Sequence, residues 1–177
     1  MAEANDHVLR EDAALAYRFD PDDEIPNNVL PLLVYPGAVD VSGADPAAAF
    51  ERVFAGNGWG GSWRNGIFSY PHYHSTAHEV LGIARGEAKV RFGGTRGAVL
   101  TVKPGDVVVI PAGVGHQNLG ASPDLLVVGA YPRGSAVDLQ RGGAAQRAVV
   151  ERNVAAVPLP AADPVHGVDG PLLRHWR

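Results

Sequence analysis

From residue 79 to residue 131 the chain repeats one pattern: a short apolar run, a Gly or Pro turn, then another run. The runs cover 79–86, 87–94, 98–106, 107–113, 116–120 and 124–131. Gly93-Gly94, Pro104-Gly105 and Pro111-Ala112-Gly113 punctuate them. A further run, 62–70, precedes the series. Valine-rich runs suit pleated backbone, and Gly and Pro reverse the chain between them. Short strands at this spacing predict a β-sandwich or barrel. Upstream, 14–19 and 29–35 are strand candidates, and Pro31 assigns the second to a sheet edge because proline cannot donate to the ladder. One segment changes period. Asp45 suits an N-cap, Pro46 the first helical position and Gly56 the stop, which predicts a helix over 46–55 with Phe50, Val53 and Phe54 on one face. Residues 143–157 form either a second helix or an irregular segment.

A chain of 177 residues is long enough for one domain with a real core. Three parts are expected: an N-terminal arm, 1–24, whose first dozen residues are polar; the β body with its preceding helix, 25–135; and a C-terminal extension, 136–177. The extension is rich in Pro and Gly, but Leu172, Leu173 and Trp176 predict that it packs on the body. The net charge of −4 recommends neither nucleic acid nor an anionic membrane as partner. The N-terminus shows no apolar signal region and no stretch approaches a membrane span, so a soluble, cytoplasmic protein is expected. Cysteine is absent, which excludes thiol nucleophiles and leaves only N and O ligands for a metal.

Three of the seven histidines fall within 72–78. His72 and His74 are two apart, so on extended backbone both face the same way. Glu79 opens a strand whose alternates Leu81 and Ile83 are apolar, which turns the carboxylate inward. His116 follows the Pro111–Gly113 turn and can join them. Three neutral imidazoles and a carboxylate suit a divalent transition metal: Fe, Mn, Zn, Ni or Co.

These segments resemble the two motifs of the cupin superfamily. Gly66, His72, His74, Glu79 and Gly86 match every position of the first motif. Gly105, Pro111, Gly113 and His116 match the second. Asn118 departs, standing two residues after His116 where the family has asparagine four after, and it is not given the family's role. The stretches 25–37, 63–86 and 163–172 further resemble the bacterial YjlB-like cupins. The resemblance implies an all-β fold, an antiparallel jelly-roll barrel with one or two short helices, with His72, His74, Glu79 and His116 on a metal inside it.

The resemblance also implies a small-molecule ligand or substrate, with dioxygenation, decarboxylation and isomerisation among the family's reactions. Glu79 and Tyr70 are the catalytic candidates. The rival readings are a non-catalytic ligand-binding or sensor module and a metal-free sugar isomerase. Several residues carry alternatives. Glu79 can pair with Arg85 or Arg91 instead. Tyr70 either lines the pocket or packs. Strict alternation turns His78 outward, to a turn or rim role, unless a bulge rotates it in. Asn118 shares parity with His116 and can hold a substrate oxygen. Arg64 is expected at the far end of the body, in a structural role. Asp163, His166, Asp169 and His175 lie in the tail without motif support and are read as structural. The strand candidates 14–19 and 29–35 would leave an edge that a two-fold partner could cover, so a homodimer is expected.

Overall fold

A computed structural model describes residues 14–177 of the chain; most of the expected polar arm lies outside the described residues. Nine strands form two antiparallel sheets. In chain order they are β1 (Leu15–Tyr17), β2 (Leu32–Tyr35), β3 (Trp59–Asn65), β4 (Glu79–Arg85), β5 (Ala88–Phe92), β6 (Ala98–Val102), β7 (Val107–Ile110), β8 (His116–Ala121) and β9 (Leu126–Pro132). The six-stranded sheet runs β1-β2-β7-β4-β9-β3 and the three-stranded sheet β6-β5-β8. Helix α1 (Pro46–Gly56) precedes β3, α2 (Arg147–Ala156) follows a 3-10 turn, and α3 (Pro171–His175) ends the chain. The third helix was not expected from the sequence. It is a five-residue turn opened by Pro171, too short to show a period. Among the described residues no helix is long and apolar enough to cross a membrane.

The central strands β2, β7, β4 and β9 of the larger sheet are buried on both faces, which is why they read as continuous apolar runs. Leu33, Tyr35, Val80, Ala84, Val107 and Val109 face α1 and the C-terminal segment. Leu32, Val34, Leu81, Ile83, Val108 and Ile110 face the smaller sheet and its Val90 and Phe92. Helix α1 starts as expected: Asp45 accepts from the Ala48 amide at 3.3 Å, and Pro46 follows. Its Phe50 and Phe54 are fully buried, each contributing about 1.5–3 kcal/mol from burial. A Cβ on Gly82 would come within 2.2 Å of the Phe50 ring, so the helix can lie this close to β4 only over a glycine.

Two expectations are corrected. The 29–35 segment is not an edge strand. Pro31 lies just before β2, which is flanked by β1 and β7, and the Pro31 carbonyl accepts from Trp176 Nε1 at 2.8 Å. The missing proline N–H is therefore never asked of the ladder, and the exposed edge passes to β1. The strand expected over 62–70 runs instead from Trp59 to Asn65. Residues 66–71 leave it and cross the edge of β8, with the Phe68 carbonyl on the Asn118 amide at 2.9 Å. Pro71, which has no N–H, falls in this crossing.

Candidate metal centre

The chain re-pairs at His72, whose amide and carbonyl bond those of His116 at 3.1 and 2.9 Å. That isolated bridge sets the two imidazoles side by side, with ring centroids 4.0 Å apart. His74 follows on the same side, its centroid 5.6 Å from His116. One ligand nitrogen from each of His72, His74 and His116 lies within 4.8 Å of the other two. Glu79, at the start of β4, completes the cluster. Its carboxylate is 3.2 Å from His116 Nε2 and 3.4 Å from His74 Nε2. It pairs with these rings and not with Arg85 or Arg91.

The three rings share one orientation. Nδ1 of His72 contacts the Tyr70 carbonyl at 3.1 Å, Nδ1 of His74 the Asp138 carbonyl at 2.5 Å, and Nδ1 of His116 the Val114 carbonyl at 3.2 Å. A carbonyl can only accept, so each ring carries a proton on Nδ1 and turns Nε2 to the centre, where it is a lone pair whenever the ring is neutral. This is the tautomer a metal-binding histidine needs, held by backbone acceptors. Three nitrogen lone pairs and a carboxylate fit a borderline divalent ion in donor type and charge.

Burial and the neighbouring His116 push the His72 imidazole down to about 3, which keeps it neutral. Burial also pulls His74 down, but the hydrogen bond and charge of Glu79 outweigh it and raise this imidazole above its ordinary value. The Glu79 carboxyl is pushed up by burial and held well below the usual range by its hydrogen bonds to His116 and His74.

His78 is not at a rim. It is 1% exposed. Alternation does turn it away from Glu79, but that face of β4 is covered. Its Nδ1 accepts from the Ala112 amide at 2.9 Å, and its ring lies 4.7 Å from that of Trp176. This is the opposite tautomer to that of the three clustered rings. Tyr70 stacks on Phe68 with centroids 4.8 Å apart, under the Arg141 guanidinium at 3.6 Å. Asn118 uses its amide locally, accepting from Gly120 and donating to the Ile67 carbonyl. Arg64 is exposed and pairs with Asp45 and Glu51 at the start of α1. Asp163 is a buried knot: it accepts from Tyr35 Oη at 2.5 Å and from the Val165, His166 and Leu172 amides.

Two residues of the site were not anticipated. Asp138 grips the 75–76 turn through the Ser75 amide at 2.6 Å, the Ser75 hydroxyl and the Thr76 amide, while its own carbonyl orients His74. Burial pushes its carboxyl up, but the Ser75 and Gln140 hydrogen bonds win and lower it. Tyr131, on β9, accepts from Trp63 Nε1 at 2.8 Å. Burial, then the charge of Glu79, raise its phenol above the ordinary range. The Trp63 indole reaches it by lying over Gly129, where a Cβ would come within 2.1 Å. Neither residue carries a local signal: Asp138 lies 64 positions from His74, and Tyr131 is one aromatic in an apolar run. The cluster forms the inner end of a cavity of about 350 Å³ whose walls include Trp63, Ile67, Phe68, Leu81 and Tyr131.

Paired antiparallel sheets with three imidazoles and a carboxylate meeting at one point define the cupin class, and the family described as Cupin matches residues 64–145. Over 161 residues the chain is 44% identical to the uncharacterized protein YjlB of Bacillus subtilis (strain 168), covering 90% of this chain and 94% of that one. The chain therefore belongs to the YjlB-like cupins. Among solved structures it is similar to an acireductone dioxygenase from Bacillus anthracis with a cadmium ion in its active center (TM-score 0.37, 18% identity, 54% of this chain and 61% of that one). It is also similar to procruciferin, an 11S globulin of Brassica napus (TM-score 0.36, 21% identity, 44% of this chain and 20% of that one).

Proposed function

We propose that this protein is a metal-dependent cupin enzyme that acts on a small oxygenated molecule, its strands forming a jelly-roll barrel around the site. One observation carries the reading: three imidazoles, each with Nδ1 on a backbone carbonyl, aim Nε2 at one point beside Glu79 at the inner end of a cavity. His72, His74, Glu79 and His116 would hold Fe, Mn, Zn, Ni or Co. Such an ion, when bound, supplies Lewis-acid polarisation of a substrate oxygen, or one-electron chemistry if it is redox-active. The chain's own groups do the rest. Trp63, Ile67, Phe68 and Leu81 keep water away from the reacting end. Glu79 supplies the negative charge and a basic oxygen. The ring of Tyr70, the second catalytic candidate, lies between Phe68 and Arg141, and the polar group that lines the cavity beside the cluster is Tyr131, to which we assign the hydrogen bond to substrate. Strand β1, a sheet edge with Leu15 half exposed, is the surface a homodimer would cover.

Elemental analysis of the purified protein tests the reading. About one transition-metal ion per chain is expected, with most of it lost in His74→Ala and in His116→Ala. Full metal content in both variants contradicts it. A substrate screen with and without metal then separates an enzyme from a binding or sensor module, which would take ligand without turnover.

A further inference from the structure

The walls of the cavity limit what it can hold. Beyond the cluster its surface is Trp63, Ile67, Phe68 and Leu81, with Asn65 and Tyr131 as the polar exceptions. No Lys or Arg lines it among the described residues. Arg64, Arg133 and Arg141, which lie close in sequence to residues of the site, are engaged elsewhere: Arg64 with Asp45 and Glu51, Arg133 with the Ala55 carbonyl and Arg141 with the face of Tyr70. A carboxylate or phosphate entering these walls would find no opposite charge except the metal itself, and an unpaired anion in an apolar cavity is strongly disfavoured. Tyr131 adds direction. Its oxygen accepts from Trp63 Nε1, which leaves its O–H turned to Glu79, where an oxygen held at the cluster can take that hydrogen bond instead.

From this lining we infer that the cavity selects molecules with one oxygen-bearing head and an otherwise uncharged, apolar body. The cavity of about 350 Å³ has room for a body of a single ring or larger, and the class excludes sugar phosphates and dicarboxylates. The head binds at His72, His74, Glu79 and His116 and takes a hydrogen bond from Tyr131. The body lies between Trp63 and Phe68. This rests on the metal-dependent reading above, and it adds the substrate class.

Three hydroxamates share a head and differ in the body, so they test it directly. Protein loaded with Co(II) is titrated with acetohydroxamate, benzohydroxamate and 4-carboxybenzohydroxamate, following heat and the cobalt absorption band. Benzohydroxamate should bind at least about ten-fold more tightly than acetohydroxamate, because only its ring meets the apolar walls. The added carboxylate should weaken binding by about ten-fold. Phe68 is 47% exposed at the mouth, so Phe68→Lys can place a cation there without opening the core, and it should reduce that penalty to under about three-fold. Phe68→Ala should lower the ring preference and leave the carboxylate penalty in place. Equal binding of acetohydroxamate and benzohydroxamate overturns the inference, as does equal binding of the two aryl probes or an unchanged penalty in Phe68→Lys. Metal content measured on the same samples separates the failures. Protein that takes up no cobalt overturns the metal reading and this inference together, whereas loaded protein without ring preference overturns this inference alone.

Discussion

The Ala112 amide donates to His78 Nδ1 at 2.9 Å, tying the turn that leads to His116 to the residue that precedes Glu79. The bond joins two segments that carry the cluster, yet His78 itself faces the other way, onto Trp176.

Removing that ring should be costly to the fold and nearly silent at the cluster. His78→Ala leaves a buried amide unpaired and a cavity against Trp176, which together should cost about 2–4 kcal/mol. Metal content should stay near that of the parent, while Glu79→Ala should lose much of its metal with a smaller loss of stability. Urea unfolding and metal analysis on both variants check the ranking. His78→Ala losing metal while Glu79→Ala keeps it would make His78 the ligand.

Burial pushes the His78 imidazole down to about 4, against a small upward pull from the Pro158 carbonyl. The folded value lies below the ordinary one of about 6.5. Above that pH both folded and unfolded chains hold the ring neutral. As pH falls, the unfolded chain takes a proton that the folded chain refuses, so stability drops by up to about 1.4 kcal/mol per pH unit until about pH 4. His78→Asn keeps an acceptor for Ala112 and cannot titrate. It should start less stable and lose stability less steeply, which urea midpoints at pH 7, 6 and 5 will show. Parallel slopes would mean that His78 is protonated in the fold.

His74 titrates the other way. Glu79 raises its value, so the proton it holds must leave when a metal binds, and that competition sets in above pH 6.5. Apparent metal affinity should fall as pH drops, the slope approaching about ten-fold per pH unit for the one proton displaced. His72, already neutral, adds little over this range. Chelator competition at pH 8, 7 and 6 measures the slope. A flat profile would rule out His74 as a ligand.

Asp138 is the acidic residue that shapes the site without entering it. Asp138→Ala releases the Ser75 and Thr76 amides and with them the carbonyl that orients His74. Metal affinity should drop about ten-fold or more, as when an outer partner of a ligating histidine is lost. Asp138→Asn, which retains an acceptor, should recover part of it. An unchanged affinity in the alanine variant would show that His74 holds its orientation without this support.

Local chemistry carried much of this protein. The alternation that turns Glu79, Leu81 and Ile83 to one face is a property of extended backbone, as is the shared side of His72 and His74, and the bridge between His72 and His116 brings the fourth residue to them. The helix predicted over 46–55, and found over Pro46–Gly56, was legible because cap, proline and apolar face all lie within a dozen residues. What lay beyond the sequence was what covers each face. Alternation sent His78 outward, but outward from β4 is the underside of α1 and the C-terminal turn, whose Trp176 is nearly a hundred positions away. Pro31 read as an edge marker, and only the pairing of β2 with β7 shows that it stands just outside the ladder. Asp138 reaches the cluster from a segment with no pattern of its own, and Tyr131 from an apolar run in which nothing marks it. The donor types of the candidate cluster and the strand parity follow from bonds and torsions along the chain; burial, hydrogen-bond partners and the uncharged walls of the cavity follow from which distant segments the core brings into contact.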